Sequence, residues 1–205
     1  MVMVRSGQKR EEKSLEDGAL WLAFKEGDKE AYSILYRKYY YILINYGFHF
    51  IPNKDLVKDC LNDLFFYLWK KKESIAIPAS VKSYLFAAYK RHLLNATKAS
   101  KRFLYSNSES NFEITLSIEQ ELIQEESKKE KFRKLQKVID GLTRRQREVI
   151  FLRYFENMTY EEIAVIMKSD INSVYVLMSR AMEVLRNSYC LDTFYLWVLS
   201  LSHFD

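Results

Sequence analysis

The stretch Leu142–Arg186, LTRRQREVIFLRYFENMTYEEIAVIMKSDINSVYVLMSRAMEVLR, decides the fold. Thr143 is placed to cap a helix carrying Val149, Ile150, Leu152 and Tyr154. Asn157 stands where a left-handed stop is expected. Thr159 with Glu162 three residues on reads as a capping box opening a helix over Tyr160–Met167. A short break at Lys168–Asp170 precedes a second helix over Ile171–Ser188, with Val174, Met178, Ala181 and Leu185 inward. Two short helices around a tight break form a helix-turn-helix pattern, whose second helix presents its outer side to a DNA major groove.

The same reading extends outward. Phe132, Leu135, Val138, Ile139 and Leu142 form an apolar stripe starting near Lys131. Toward the N-terminus, Ser14 and Asp17 open a helix that ends at Gly27, a natural residue just past a helix end. Asp28 caps a longer helix with Ala31, Leu35, Ile42 and Tyr46 at helical spacing, and Pro52 ends it. Asn53 caps a third helix through Trp69. Residues 74–79 (SIAIPA) form a connection, and Ser80 starts a fourth helix reaching Lys101 or Arg102. Strand alternation and internal repeats are absent from the sequence.

Composition agrees. The chain has 205 residues, only five Gly and two Pro, fewer than a turn-rich β fold needs. Its hydrophobic share of 48% supports a folded core. The two cysteines, Cys60 and Cys190, lack CxxC spacing, which argues against a zinc ribbon or a disulfide scaffold. His49, His92 and His203 are isolated from carboxylates or thiols at metal-ligand spacing, and no Gly-rich loop cradles phosphate, so no cofactor and no catalytic role are expected. No signal peptide is read, and the apolar tail from Cys190 to Phe204 is too short for a membrane span, so the expected location is cytoplasmic.

Net charge is +5, but it is unevenly spread. Residues 70–102 hold nine Lys and Arg against Glu73, whereas residues 109–130 hold seven Glu and two Lys. A basic element beside an acidic tether is the footprint of a nucleic-acid binder. Arg91, Asn95, Lys98 and Arg102 fall on one helical face, flanked by Lys90 and Lys101. Such a ladder suits a phosphate backbone, and its amide can reach a base edge. The expectation is an all-α chain of two small helical domains. A mobile arm spans 1–13, the first domain 14–103, an acidic linker 104–130, the second domain 131–189 and an apolar tail 190–205.

The wording of both blocks resembles bacterial sigma-70-family factors, most closely the extracytoplasmic function (ECF) group. Leu142–Phe155, Thr159–Ala164, Val174, Ser179–Ala181 and Leu185-Arg186 are similar to region 4. Gly27–Tyr32 with Leu35-Tyr36 and Tyr39-Tyr40 resembles region 2.1, and Asn62–Phe65 with Leu68-Trp69 resembles region 2.2. Ser83–Leu85 followed by Asn95 resembles regions 2.3 and 2.4. The resemblance covers roughly residues 15–103 and 131–188.

It implies promoter recognition as a dissociable subunit of RNA polymerase. Asn62, Asp63, Phe65 and Phe66 would bind core polymerase, with the third helix on the β′ clamp helices and the β flap as a further contact. Lys90, Arg91, Asn95, Lys98, Lys101 and Arg102 would hold the −10 element, with the connection 74–79 capturing a flipped base. Tyr84, Phe86 and Tyr89 are candidates to stack on melted bases, with core packing the alternative for each. Arg144, Arg145, Arg147, Ser173, Tyr175, Ser179 and Arg180 would hold the −35 element.

This chain departs from the pattern in places. Asn62 replaces the usual Gln, Lys168 a common turn Gly, and Tyr175, Val176 and Leu177 the basic or polar residues common on the recognition helix. The tail is either a last helix covering the second domain or a docking surface for a regulator such as an anti-sigma factor. The rival reading is a helix-turn-helix regulator acting without polymerase. That rival needs neither the Asn62-Asp63 helix nor the basic fourth helix. A helical scaffold that binds no DNA is disfavoured by the basic segment.

Overall fold

A computed structural model describes residues 16–104, 112–114 and 126–201, with side chains from 16–98, 112–114 and 129–199. The expected arm at 1–13, the Ser14 cap, most of the linker and the end of the tail lie outside these residues. The described residues are helices and turns, in two compact units, Met1–Ser110 and Asn111–Asp205.

The first unit contains α1 (residues 16–25), α2 (Lys29–Phe48), α3 (Lys54–Lys71), a 3-10 turn (Lys72–Ser74) and α4 (Val81–Leu104). Helix starts follow local capping chemistry. Asp28 accepts from the N–H groups of Glu30 and Ala31, and Asn53 from those of Asp55 and Leu56. Gly27 ends α1 at φ +97°, a conformation that favours glycine.

Core formation joins all four helices. Trp21 of α1 meets Tyr84 of α4 edge-on at 5.3 Å, while Phe24 stacks on Tyr32 of α2 and touches Trp69 of α3. Asp17 is buried, accepting from the Tyr39 hydroxyl at 2.5 Å and pairing with Lys38 at 2.6 Å. Gly47 marks a close approach. A Cβ there would lie 2.5 Å from Tyr89 Oη and 2.8 Å from Val57 Cγ1, and that Tyr89 hydroxyl donates to the Val57 carbonyl at 2.8 Å.

The second unit contains α5 (Glu126–Asp140), α6 (Arg144–Ile150), a π turn (Phe151–Phe155), α7 (Tyr160–Met167), α8 (Ile171–Asn187) and α9 (Leu191–Leu201). Both expected threonine caps are present, as reciprocal boxes of Thr143 with Gln146 and Thr159 with Glu162. Asn157 is left-handed at φ 51°, and Lys168 ends α7 at φ 47° where glycine is common.

Three features differ from the sequence reading. Helix α5 begins at Glu126, five residues before the expected domain start. Phe112 and Ile114, expected in the linker, are buried in the second unit, with Phe112 5.7 Å from Phe151. The helix after Thr143 widens into a π turn, in which Glu156 N–H returns to the Phe151 carbonyl.

The tail forms α9. It fills the second unit's core with Phe194, edge-on to Tyr154 at 5.2 Å, and Trp197, edge-on to Phe155 at 4.8 Å.

Candidate nucleic-acid and polymerase interfaces

In the first unit, α3 turns Leu61, Leu64, Phe65 and Leu68 inward and leaves Asn62, Asp63 and Phe66 outside. Phe66 is 67% exposed, although an aromatic ring in water forgoes the gain from burial. Beside it runs an open, mostly apolar groove of about 420 Å³ lined by Lys29, Tyr32, Tyr36, Asn62, Phe65, Phe66 and Trp69. The Tyr36 hydroxyl donates to Asn62 Oδ1 at 3.1 Å, which fixes the amide at the rim. Burial pushes the Tyr32 and Tyr36 phenols up, so both remain neutral donors. Phe65 is 2% exposed and lines the groove from its floor, edge-on to Tyr36 at 4.8 Å, while Phe66 stands out at the surface.

Helix α4 carries the basic ladder where the spacing put it. Arg91, Asn95 and Lys98 are exposed on one face. Lys90 is half-buried, with its ammonium 6.0 Å from the Phe50 ring, so its stem packs against the unit while its charge remains near the surface. The side chains of Lys101 and Arg102 lie outside the described residues. Phe86 and Tyr89 are fully buried, so they pack the core and are excluded as stacking platforms. Tyr84 is half-buried.

The 74–79 connection presents Ala76, Ile77 and Ala79 outward and is anchored by buried Ile75. The Lys25 ammonium of α1 donates to the Ile75 carbonyl, an anchor that sequence spacing gave no sign of across 50 residues.

In the second unit, α7 and α8 make the expected helix-turn-helix, with Val174, Met178, Ala181 and Leu185 buried. Asn172, Tyr175, Val176, Ser179 and Arg180 are exposed on α8, and Arg145 is exposed on α6. Arg144 is half-buried at the start of α6.

Two expected −35 residues have other work. Arg147 is 7% exposed and donates to the carbonyls of Phe112 at 2.6 Å and Asp140 at 2.8 Å. Its guanidinium is spent satisfying buried main chain, which corrects its assignment as a phosphate contact. Ser173 donates its hydroxyl to Asp170 Oδ2 at 2.6 Å and its N–H to Oδ1 at 2.8 Å. These two bonds hold the Asp170 carboxyl below its usual range. The Ser173 proton is therefore committed to the α8 cap, which leaves its hydroxyl oxygen as an acceptor.

Sequence reasoning missed a tilted aromatic pair between α7 and α8. Tyr160 and Tyr175 have ring centroids 4.2 Å apart, and the Arg153 guanidinium lies 5.0 Å from the Tyr160 ring. The TYEE and SVYV runs hold both tyrosines, but a pairing across the turn is visible only in three dimensions.

Among the described residues no cluster of His, Cys, Asp and Glu suits a metal. No helix of the described residues is long and apolar enough to cross a membrane.

Comparison with known proteins matches this geometry. Residues 132–185 fit the family model described as Sigma-70, region 4. The RNA polymerase sigma factor YlaC of Bacillus subtilis (strain 168) is 25% identical over 154 residues, spanning 75% of this chain and 89% of that protein. The fold resembles CnrH, solved with the cytosolic domain of CnrY, at a TM-score of 0.57 and 20% identity, covering 86% of this chain and 97% of that one. It also resembles RpoE, solved with the anti-sigma factor NepR from Bartonella quintana, at a TM-score of 0.56 and 19% identity, covering 78% and 97%. The chain thus carries a sigma-70 region 4 domain in its second unit and is similar, along most of its length, to an RNA polymerase sigma factor.

Proposed function

We propose that this chain is a promoter-specificity subunit of RNA polymerase, whose first unit binds core enzyme and the −10 element and whose second unit binds the −35 element. The observation that carries the reading is the open apolar groove lined by Asn62 and Phe66, in a chain that also holds a helix-turn-helix. A regulator that binds DNA alone has no use for an apolar groove with an exposed Phe66 and the Asn62 amide on its lining. A coiled coil presenting apolar and basic side chains fits such a surface, and the β′ clamp helices are a partner of that form.

In this reading α4 meets the −10 strand with Arg91 and Lys98 on phosphates and Asn95 at a base edge. The apolar tip of the 74–79 connection faces the unpaired bases. Arg145 and Arg180 supply phosphate contacts for the second unit. Holding both promoter elements from one chain makes the second contact intramolecular and raises its effective concentration. The proposed division ends the first domain with α4 and gives the second residues 112–114 and α5 through α9, on the packing of Phe112, Phe194 and Trp197. Bond making and breaking belong to the polymerase. RpoE is solved with an anti-sigma factor, and a partner of that class is proposed here as the regulator.

The test is run-off transcription with core polymerase and a random promoter library. Enrichment of a paired −10 and −35 motif supports the reading. DNA binding without stimulation of core polymerase would favour the free regulator instead.

A further inference from the structure

We propose that the second unit reads its −35 duplex chiefly through thymine 5-methyl groups, with Tyr175 and Val176 as the reading side chains, so that the preferred element is A·T-rich. The inference rests on the assignment of α8 to the −35 major groove.

The outward face of α8 carries Asn172, Tyr175, Val176 and Ser179 at three- and four-residue spacing. Tyr175 is 47% exposed and Val176 46%, so two large apolar side chains sit where base edges would lie. Guanine is most often read by a bidentate Arg or Lys, and this face has neither between Asn172 and Ser179. Apolar groups instead meet the thymine methyl, and an amide such as that of Asn172 suits adenine N6 and N7.

Tyr175 is also held in place. Its ring lies against Tyr160 at 4.2 Å, and the Arg153 guanidinium that overlies Tyr160 is itself tied to the Met158 carbonyl at 2.8 Å. An immobilised ring loses little conformational freedom on docking. Charge selects DNA over an apolar protein partner, because exposed Arg145, Lys168, Arg180 and Arg186 accompany this face. Exposed acids are present too, in Glu161, Asp170 and Glu183, and they belong to the caps and outer turns of the same two helices. Tyr160 is in this account a positioning residue for Tyr175.

The experiment uses holoenzyme assembled from full-length chain and core polymerase, on a promoter chosen from a random library. Each −35 thymidine is replaced by deoxyuridine, which removes the 5-methyl and leaves every hydrogen-bonding group unchanged. Binding should weaken about fourfold at one or two positions, the loss expected for one buried carbon each. Val176→Ser should abolish the sensitivity at one of them. Tyr160→Ala should flatten it at the Tyr175 position, and Tyr160→Phe should restore it.

If the library yields a −35 preference that no deoxyuridine substitution alters, the proposal is overturned while the −35 assignment stands. If no −35 preference emerges, the assignment itself fails and the proposal with it. If Val176→Ser leaves the promoter scan unchanged but weakens assembly with core polymerase, this face binds protein and the proposal is likewise overturned. Thermal melting of each variant confirms that these surface changes leave the fold intact.

Discussion

Arg147 and Phe112 are joined across 35 residues by a 2.6 Å hydrogen bond from the guanidinium Nε to the main-chain carbonyl. The second unit is thereby completed by a segment whose composition marks it as tether. A charged donor bound to buried carbonyls contributes more than a neutral one.

Arg147→Ala should therefore destabilise the second unit by about 2–3 kcal/mol, since it strands buried carbonyls without a donor. Urea unfolding of the full chain, with hydrogen exchange in α5 and α6, measures the loss. The salt dependence of DNA binding should not move. A lower salt slope with unchanged stability would return Arg147 to the DNA.

Arg145 is the contrasting case, exposed on the same helix. Arg145→Ala should weaken all −35 sequences alike and lower the salt slope of log K by about 0.9, the value for one phosphate contact on duplex DNA. Titration of holoenzyme at several salt concentrations reads it. A loss confined to one base pair would contradict the phosphate role.

For the polymerase interface, Asp63→Arg and Phe66→Ala should each reduce co-purification with core enzyme while leaving the helical signal intact. Both side chains are exposed on α3, so neither change disturbs packing. Wild-type recovery of core by both variants would remove α3 from the interface.

Lys25→Met should loosen the 74–79 connection without unfolding α1. Faster amide exchange at residues 75–80, with α2 and α3 unchanged, is the expected pattern. Altered preference in the −10 motif should accompany it, because an anchored loop presents Ile77 in one place. Unchanged exchange at these residues would show that the Ile75 carbonyl needs no anchor.

Gly47→Ala should lower stability by about 1–3 kcal/mol, as overpacking of a full core does. The new methyl would meet Tyr89 Oη at 2.5 Å and force apart the bond that hydroxyl makes to Val57. A melting temperature within one degree of wild type would mean that α2 shifts freely at this crossing.

What the sequence made legible is what short-range chemistry controls. Asp28, Asn53, Thr143 and Thr159 cap their helices as read, because a cap involves residues two or three apart. The exposed line of Arg91, Asn95 and Lys98 followed from helical periodicity alone. Arg147 was misread because three arginines on one helix start look alike in sequence, and only one of them meets Phe112. Phe65 and Phe66 are adjacent, and the choice of floor and rim between them depends on where Tyr36 of α2 lies. The Tyr160–Tyr175 pair required the helix-turn-helix to close before the rings could meet.

The π turn at Phe151–Phe155 has a consequence for sequence length. A π turn holds one residue more than the α turn it replaces, so this helix end contains a surplus residue. Removing one residue between 151 and 155 would let ordinary winding resume with the turns on either side kept in phase, because the wider turn had absorbed the extra residue. Thr159 would still start α7 on the side that buries Ile163, and the α8 face bearing Tyr175 would keep its place. The π turn is therefore a place where the chain can lose one residue without re-aiming α7 and α8, and relatives that share this α8 placement can differ by one residue between Thr143 and Thr159.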